Sequence, residues 1–149
     1  AIAKDRATKQ QLDITYKHAT TADLLRSRER FDVVVASEVI EHVDAQAPFV
    51  AELAQLTKPG GLVILSTLNR TVSSYAVAIV AAEKILRVLP RGTHRWKNFV
   101  KPSELWRWAT EAGLEPVDMC GMVYHPARRE FTLDAQRLSV NYIFTARKR

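Results

Sequence analysis

Glycine is scarce in this chain and arrives late: only five of the 149 residues are glycine, and the first is Gly60. A loop that cradles a nucleotide pyrophosphate between a strand and a helix needs closely spaced glycines, so nothing before Gly60 can form one. Cysteine is rarer still. The single Cys120 rules out an internal disulfide and fits a reducing compartment rather than secretion. Long apolar runs are also missing. None approaches the roughly 20 residues that cross a bilayer, and the opening AIAKDRATKQQ has the look of neither a signal peptide nor an anchor. With no internal repeat and no low-complexity linker, residues 1–149 read as a single domain.

What is present is enough to fold. A hydrophobic fraction of 47% can build one sizeable core. The net charge of +6 favours an anionic neighbour, which could be phospholipid head groups, nucleic acid or an acidic substrate. No nucleic-acid motif accompanies that charge, so nucleic acid is not expected as a partner.

The apolar pattern alternates strands with helices. Residues 1–12 read as the tail of a helix that looks cut into, and Ile14 to Ala19 as a short strand. Phe31 to Ala36 is continuously apolar, as in a strand buried on both faces. Asp44 can cap a helix carrying Phe49, Val50, Leu53 and Leu56 on one face, with Pro48 in its first turn. KPGG breaks that helix, and Leu62 to Leu68 forms a second two-sided strand, giving α/β architecture. Ser73 to Leu89 reads as a helix of alanine and branched aliphatics stopped by Pro90. Pro102 opens another helix, which puts Leu105, Trp108, Ala109 and Ala112 on one face and stops at Gly113; Lys101 is a poor N-cap for it. Two further strands, in LEPVDMCGMVYHP and SVNYIFTARKR, should pair antiparallel across a polar, arginine-bearing connection at 127–137.

The stretch FDVVVASEVIEHV, Phe31 to Val43, stands out because two glutamates and a histidine follow a core strand directly. Open α/β sheets bind ligands at the carboxyl ends of their strands. In a helical turn Glu38, Glu41 and His42 would share one side, and carboxylate oxygens with an imidazole suit Mg²⁺ or Mn²⁺ better than zinc. A plainer alternative has the glutamates stabilised by a helix N-terminus with His42 packed beside them. Spacing does not decide between the two.

A resemblance does bear on it. SEVIEHV, LTKPGGLVILSTLNRT, AIVAAEKILRVLPRGTH, FVKPSEL and SVNYI together make the chain resemble the S-adenosylmethionine-dependent O-methyltransferases of ubiquinone biosynthesis. KPGG is common to many methyltransferases; the block from STLNRT to PRGTH is distinctive. The resemblance implies a class I methyltransferase fold, a Rossmann-like α/β sheet whose last strand is antiparallel. It implies S-adenosylmethionine as methyl donor, contacted by Ser37, and Mg²⁺ held by Glu38, Glu41 and His42. The acceptor it implies is a polyprenylated catechol or quinol. It further implies peripheral attachment to the matrix side of the mitochondrial inner membrane, or to the corresponding bacterial surface, and a possible quinone-biosynthesis complex.

The family's glycine-rich donor loop and the acidic residue ending its second strand have no counterpart here. The expectation is therefore the C-terminal portion of the domain, with the first two strands missing. Phe31 to Ala36 would then be an exposed apolar edge, and the chain alone would bind the donor poorly and not turn over. Residues 70–101 read as an inserted apolar helix and basic loop. Arg91, Arg95 and Lys97 interleave with Trp96 there, as a membrane-adsorbing segment would, although the helix could equally be core. Two other functions stay open: an O-methyltransferase for another small phenol, and a non-catalytic basic module for lipid or nucleic acid. Asn69 sits in a glycosylation-like NRT but reads as a loop residue at a strand end.

Overall fold

Two apolar runs, Phe31–Ser37 (β1) and Thr57–Leu68 (β2), lie side by side in parallel, with Val34 opposite Val63 and Ser37 opposite Ser66. Two helices, α1 (Ile2–Lys9) and α2 (Thr21–Arg26), precede β1; the helix that returns the chain from β1 to β2 is α3 (Gln46–Leu56), which buries Val50, Leu53, Ala54 and Leu56. This is the strand, helix, strand unit that the sequence pattern called for. The coordinates are a computed structural model that describes residues 2–76 and 96–149.

The sheet grows on one side only. Asn141–Lys148 (β5) runs antiparallel beside β2, placing Phe144 opposite Leu65. Leu114–His125 (β3) lies antiparallel beside β5, and Glu130–Asp134 (β4) closes that edge, so the order is β1-β2-β5-β3-β4. The two C-terminal strands pair antiparallel, as expected. The connection between them is not featureless, because β4 lies within it. Its alternation of Phe131 and Leu133 with polar residues is short and sits among arginines, which masked the strand signal.

Helix α5 (Pro102–Glu111) packs next to α3 on the same face of the sheet. Leu105 and Ala109 are fully buried there with Trp108 and Ala112 beside them, and Gly113 takes the positive φ of +75° that ends the helix. Lys101 supplies no side-chain cap. Instead its own N–H donates to Glu104 Oε2 at 3.0 Å. Ile40, Val63, Leu65, Val100, Tyr142 and Phe144 complete the core between helices and sheet. At Gly121, midway along β3, a Cβ would fall 1.9 Å from the carbonyl oxygen of Arg137, so only glycine lets the segment before β5 lie this close.

Several expectations need correcting. Ile14 to Ala19 forms no strand; with β1 paired only to β2, nothing offers it a ladder, and Ile14 and Tyr16 stay exposed. Phe31 to Ala36 is not buried on both faces. α3 covers only one face, and Val33 and Val35 are 49% and 63% exposed. β1 is an edge strand of the sheet, with an apolar face left exposed. Asp44 does not cap α3, whose N-cap is Ala45 with no side-chain bond. KPGG is absorbed into β2 as an irregular start: the register jumps from Thr57 to Leu62 while β1 moves from Phe31 to Val33. The helix expected over Ser73 to Leu89 lies outside the described residues after its first turn, α4 (Val72–Ser74).

Candidate functional site

The carboxyl ends of β1 and β2 meet at a cluster of hydroxyls and carboxylates. Register puts Ser37 beside Ser66, and their hydroxyl oxygens are 2.9 Å apart. Ser66 Oγ donates to Glu38 Oε1 at 2.9 Å, so with Glu38 ionised the one hydroxyl hydrogen of Ser66 is spent and Ser37 must be the donor to it. The N–H of Glu38 donates to Ser66 O at 3.0 Å and lies 3.2 Å from Ser66 Oγ. Next along β2, Thr67 Oγ1 donates to Glu41 Oε2 at 2.8 Å.

Two features mark this corner as more than a strand end. Glu38 takes a left-handed φ of +52°, a conformation that costs a non-glycine residue energy and is held here by its bonds to Ser66. Glu41 is only 3% exposed, and its second oxygen, Oε1, is buried without a hydrogen-bond partner. A buried carboxylate oxygen left unpaired is costly and calls for a proton or a cation. The neighbouring carboxyl feels the same pressure. Glu38 keeps part of its surface in solvent, yet burial of its carboxyl, and then the charge of Glu41, push its pKa up to about 7 against the pull of the Ser66 bond.

The structure therefore brings Ser37, Glu38 and Glu41 together but does not complete the three-ligand set with His42. Among the described residues no group of three His, Cys, Asp or Glu side chains converges on a point that could hold a metal ion. Residues Ile40–His42 form a 3₁₀ turn rather than an α-turn. Glu38 precedes that turn in a left-handed conformation, so helical spacing does not govern how it meets Glu41. Glu41 is buried and His42 exposed, so the two adjacent side chains face different surroundings. The hydroxyls of Ser66 and Thr67 were overlooked in the sequence. Their signal was two polar residues at the carboxyl end of the otherwise apolar run LVILSTL.

Other candidates fall elsewhere. Arg91 and Arg95 lie outside the described residues. Trp96 and Lys97 sit in a 3₁₀ turn, Trp96–Asn98; the Trp96 indole donates to the Thr71 carbonyl at 3.0 Å and meets Tyr75 edge-on at 6.2 Å. The carbonyl of Lys97 accepts from Arg70, which also pairs with Glu104. Asn69 is buried at the end of β2, where its side chain donates to Leu138 O at 2.8 Å. It fastens a loop, as its position suggested.

Comparison with known proteins gives the family. The family model described as "Methyltransferase domain" matches residues 2–118. The chain belongs to the methyltransferase domain family. This methyltransferase domain is 45% identical over 148 residues to a Cereibacter sphaeroides protein named ubiquinone biosynthesis O-methyltransferase, covering 99% of the chain and 60% of that protein. It is 41% identical to a protein of the same name from Saccharophagus degradans, covering 99% of the chain and 63% of the relative. The chain thus spans about 60% of the length of the curated relatives it matches. Among solved structures it superposes on magnesium protoporphyrin IX methyltransferase from Synechocystis with a TM-score of 0.62 at 17% identity, over 99% of this chain and 57% of the other. That likeness shows the fold: a class I S-adenosylmethionine-dependent methyltransferase sheet with an inserted antiparallel strand, here β5.

Proposed function

We propose that this protein carries the acceptor-side half of an S-adenosylmethionine-dependent O-methyltransferase that methylates polyprenylated catechols in ubiquinone synthesis, assisted by Mg²⁺. The observation that carries the reading is the buried, unpartnered Oε1 of Glu41 beside the carboxyl of Glu38, at the sheet edge where α/β folds bind their ligands. The names of the relatives supply the substrate class.

An all-oxygen donor pair suits a hard cation, so Glu38 and Glu41 are the residues that would hold Mg²⁺, with Ser66 and Thr67 orienting them. Bound there, a cation would supply charge favouring the deprotonated, nucleophilic form of a catechol oxygen, whose proton leaves to solvent. The oxygen lone pair then forms a bond to the methyl carbon as the carbon–sulfur bond breaks, and the sulfur keeps the electron pair. Ser37, at the end of β1 and hydrogen-bonded to Ser66, is the residue we assign to the methyl-bearing end of the donor. Through the cation they would hold, the two carboxylates would keep the acceptor in line, which is most of what such a transfer needs.

Binding of catechol separates this reading from the alternatives without requiring turnover. Calorimetric titration should show catechol binding that strengthens when Mg²⁺ is added, and phenol, with one oxygen, should not gain. Equal binding of catechol with and without Mg²⁺ would sink the reading and favour another acceptor.

The polyprenyl tail of such a substrate partitions into lipid, so we further propose peripheral attachment to an anionic membrane through residues 70–101, on the matrix side of the mitochondrial inner membrane or its bacterial equivalent. A quinone-biosynthesis complex would be its setting there. Among the described residues no helix is long and apolar enough to cross a membrane. Changing Arg91, Arg95 and Lys97 to serine should reduce co-sedimentation with cardiolipin-containing vesicles several-fold; unchanged sedimentation would refute the attachment.

A further inference from the structure

Beyond the carboxylate pair, β2 ends at Leu68, two residues after the Ser66 that bonds Glu38 and on the same face of the strand, or about 6.6 Å farther along. A cleft of about 570 Å³ opens at Leu68. Its floor and wall come from register: Leu68 pairs with Asn141, Asn141 with Met122, and Tyr124 with Phe131, so these side chains follow one another across four strands. The Tyr124 and Phe131 rings lie 4.9 Å apart and form the far wall. The volume falls within the range of about 300–1,000 Å³ common for small-molecule sites.

The lining is mostly apolar: Leu68, Met122, Val140 and the Tyr124 and Phe131 rings. Among the described lining residues the cation is Arg137, which pairs with Asp134 at 3.3 Å and is largely exposed, and the carbonyl of Ser139 accepts from Thr71 Oγ1 at 2.5 Å. An uncharged hydrocarbon chain fits that apolar surface, and its near end would face the Ser66–Glu38 side of the carboxylate pair.

We propose that this cleft is the binding site for the hydrocarbon chain of an amphiphilic catechol, with its ring directed to the carboxylate pair. The inference rests on the catechol reading above and adds the place where the tail goes. Residues such as Phe131, 59% exposed and remote from the main core, then set chain preference rather than chemistry.

The test uses catechols bearing propyl, pentyl and heptyl chains, titrated with Mg²⁺ present, together with heptylbenzene, which lacks the catechol oxygens. Affinity should climb by about fourfold per buried methylene along the series. Phe131→Glu should cost heptylcatechol at least tenfold and leave unsubstituted catechol unchanged. Val117→Glu, an equally exposed change on β3 away from the cleft, should alter neither. A flat series, or a rising one that Phe131→Glu leaves intact, overturns the cleft assignment. If heptylbenzene binds and Phe131→Glu abolishes it while no catechol responds to Mg²⁺, the cleft stands and the catechol reading falls.

Discussion

Glu41→Gln is expected to abolish Mg²⁺ binding and to lower the pKa of Glu38 at the same time. Glutamine keeps the shape and can still accept from Thr67 Oγ1, so the fold at the strand end should survive. What disappears is the buried negative charge whose Oε1 has no partner. Changing an outer-shell group typically costs about 10–100-fold in metal affinity, so losing one of only two carboxylates should cost more; Thr67→Val, which removes only the orienting bond, should fall within that range. Calorimetry with Mg²⁺ checks both, and a Glu41→Gln protein that binds Mg²⁺ as the wild type does would refute the site.

The proton side of the same variant has a definite sign. Glu38 has its pKa raised from 4.5 to about 7, first by burial and second by the charge of Glu41. Between those values the folded protein holds a proton that the unfolded chain releases, so metal-free stability should fall as pH rises from 4.5 to about 7 and level off above. Glu41→Gln removes the charge and alters the side-chain contact by which Glu41 raises Glu38, and leaves burial, the largest cause, in place. The Glu38 titration, followed by carboxyl carbon NMR, should move down while remaining above 4.5, and the fall in melting temperature across that window should shrink. A Glu38 titration that does not move when Glu41 is neutralised would show that the two carboxyls do not interact.

Much of this site was legible because strands and chemistry leave different marks on a sequence. Phe31 to Ala36, apolar apart from Asp32, and Leu62 to Leu68 are short and rich in β-branched residues, as strands are, and the acids after the first could be read as a strand-end site. The failures were failures of partner and handedness. Ile14 to Ala19 alternates well enough for a strand, yet local alternation cannot say whether a neighbouring edge exists. Likewise, apolarity in Val33 and Val35 does not reveal that only one face of β1 is covered.

The placement of His42 has a finer cause. Helical spacing sets it on one side with Glu38 and Glu41, but only Ile40–His42 wind as a 3₁₀ turn and Glu38 stands outside it, which nothing in VIEHV announces. The positive φ of Glu38 is equally invisible, since glycine or asparagine would be the usual sign and neither is present. Ser66 and Thr67 were visible but unweighted. Hydroxyls in a β-strand pass as ordinary sheet residues until the register sets them opposite Ser37 and within reach of the two glutamates.

Phe144→Ala is expected to be the most damaging single truncation of the fold. Phe144 lies on β5, the strand that the sheet inserts between β2 and β3, and is fully buried opposite Leu65 on one side and Met119 on the other. Trp106 of α5 meets its ring edge-on at 6.4 Å, so the same side chain joins the helical layer to the sheet. Truncating a buried phenylalanine costs about 3–5 kcal/mol, a large share of the roughly 5–15 kcal/mol that holds a domain together. At about 3 °C per kcal/mol for a chain of this size, thermal unfolding followed by circular dichroism should fall by about 10–15 °C. Phe131→Ala makes the same chemical change on β4, where the ring is 59% exposed, and should shift stability by only about 0.5 kcal/mol. If the two variants melted together, the strands around β5 would not be the centre of the core, and the placement of the Ser66–Glu38 and Thr67–Glu41 bonds at the end of β2 would lose its foundation.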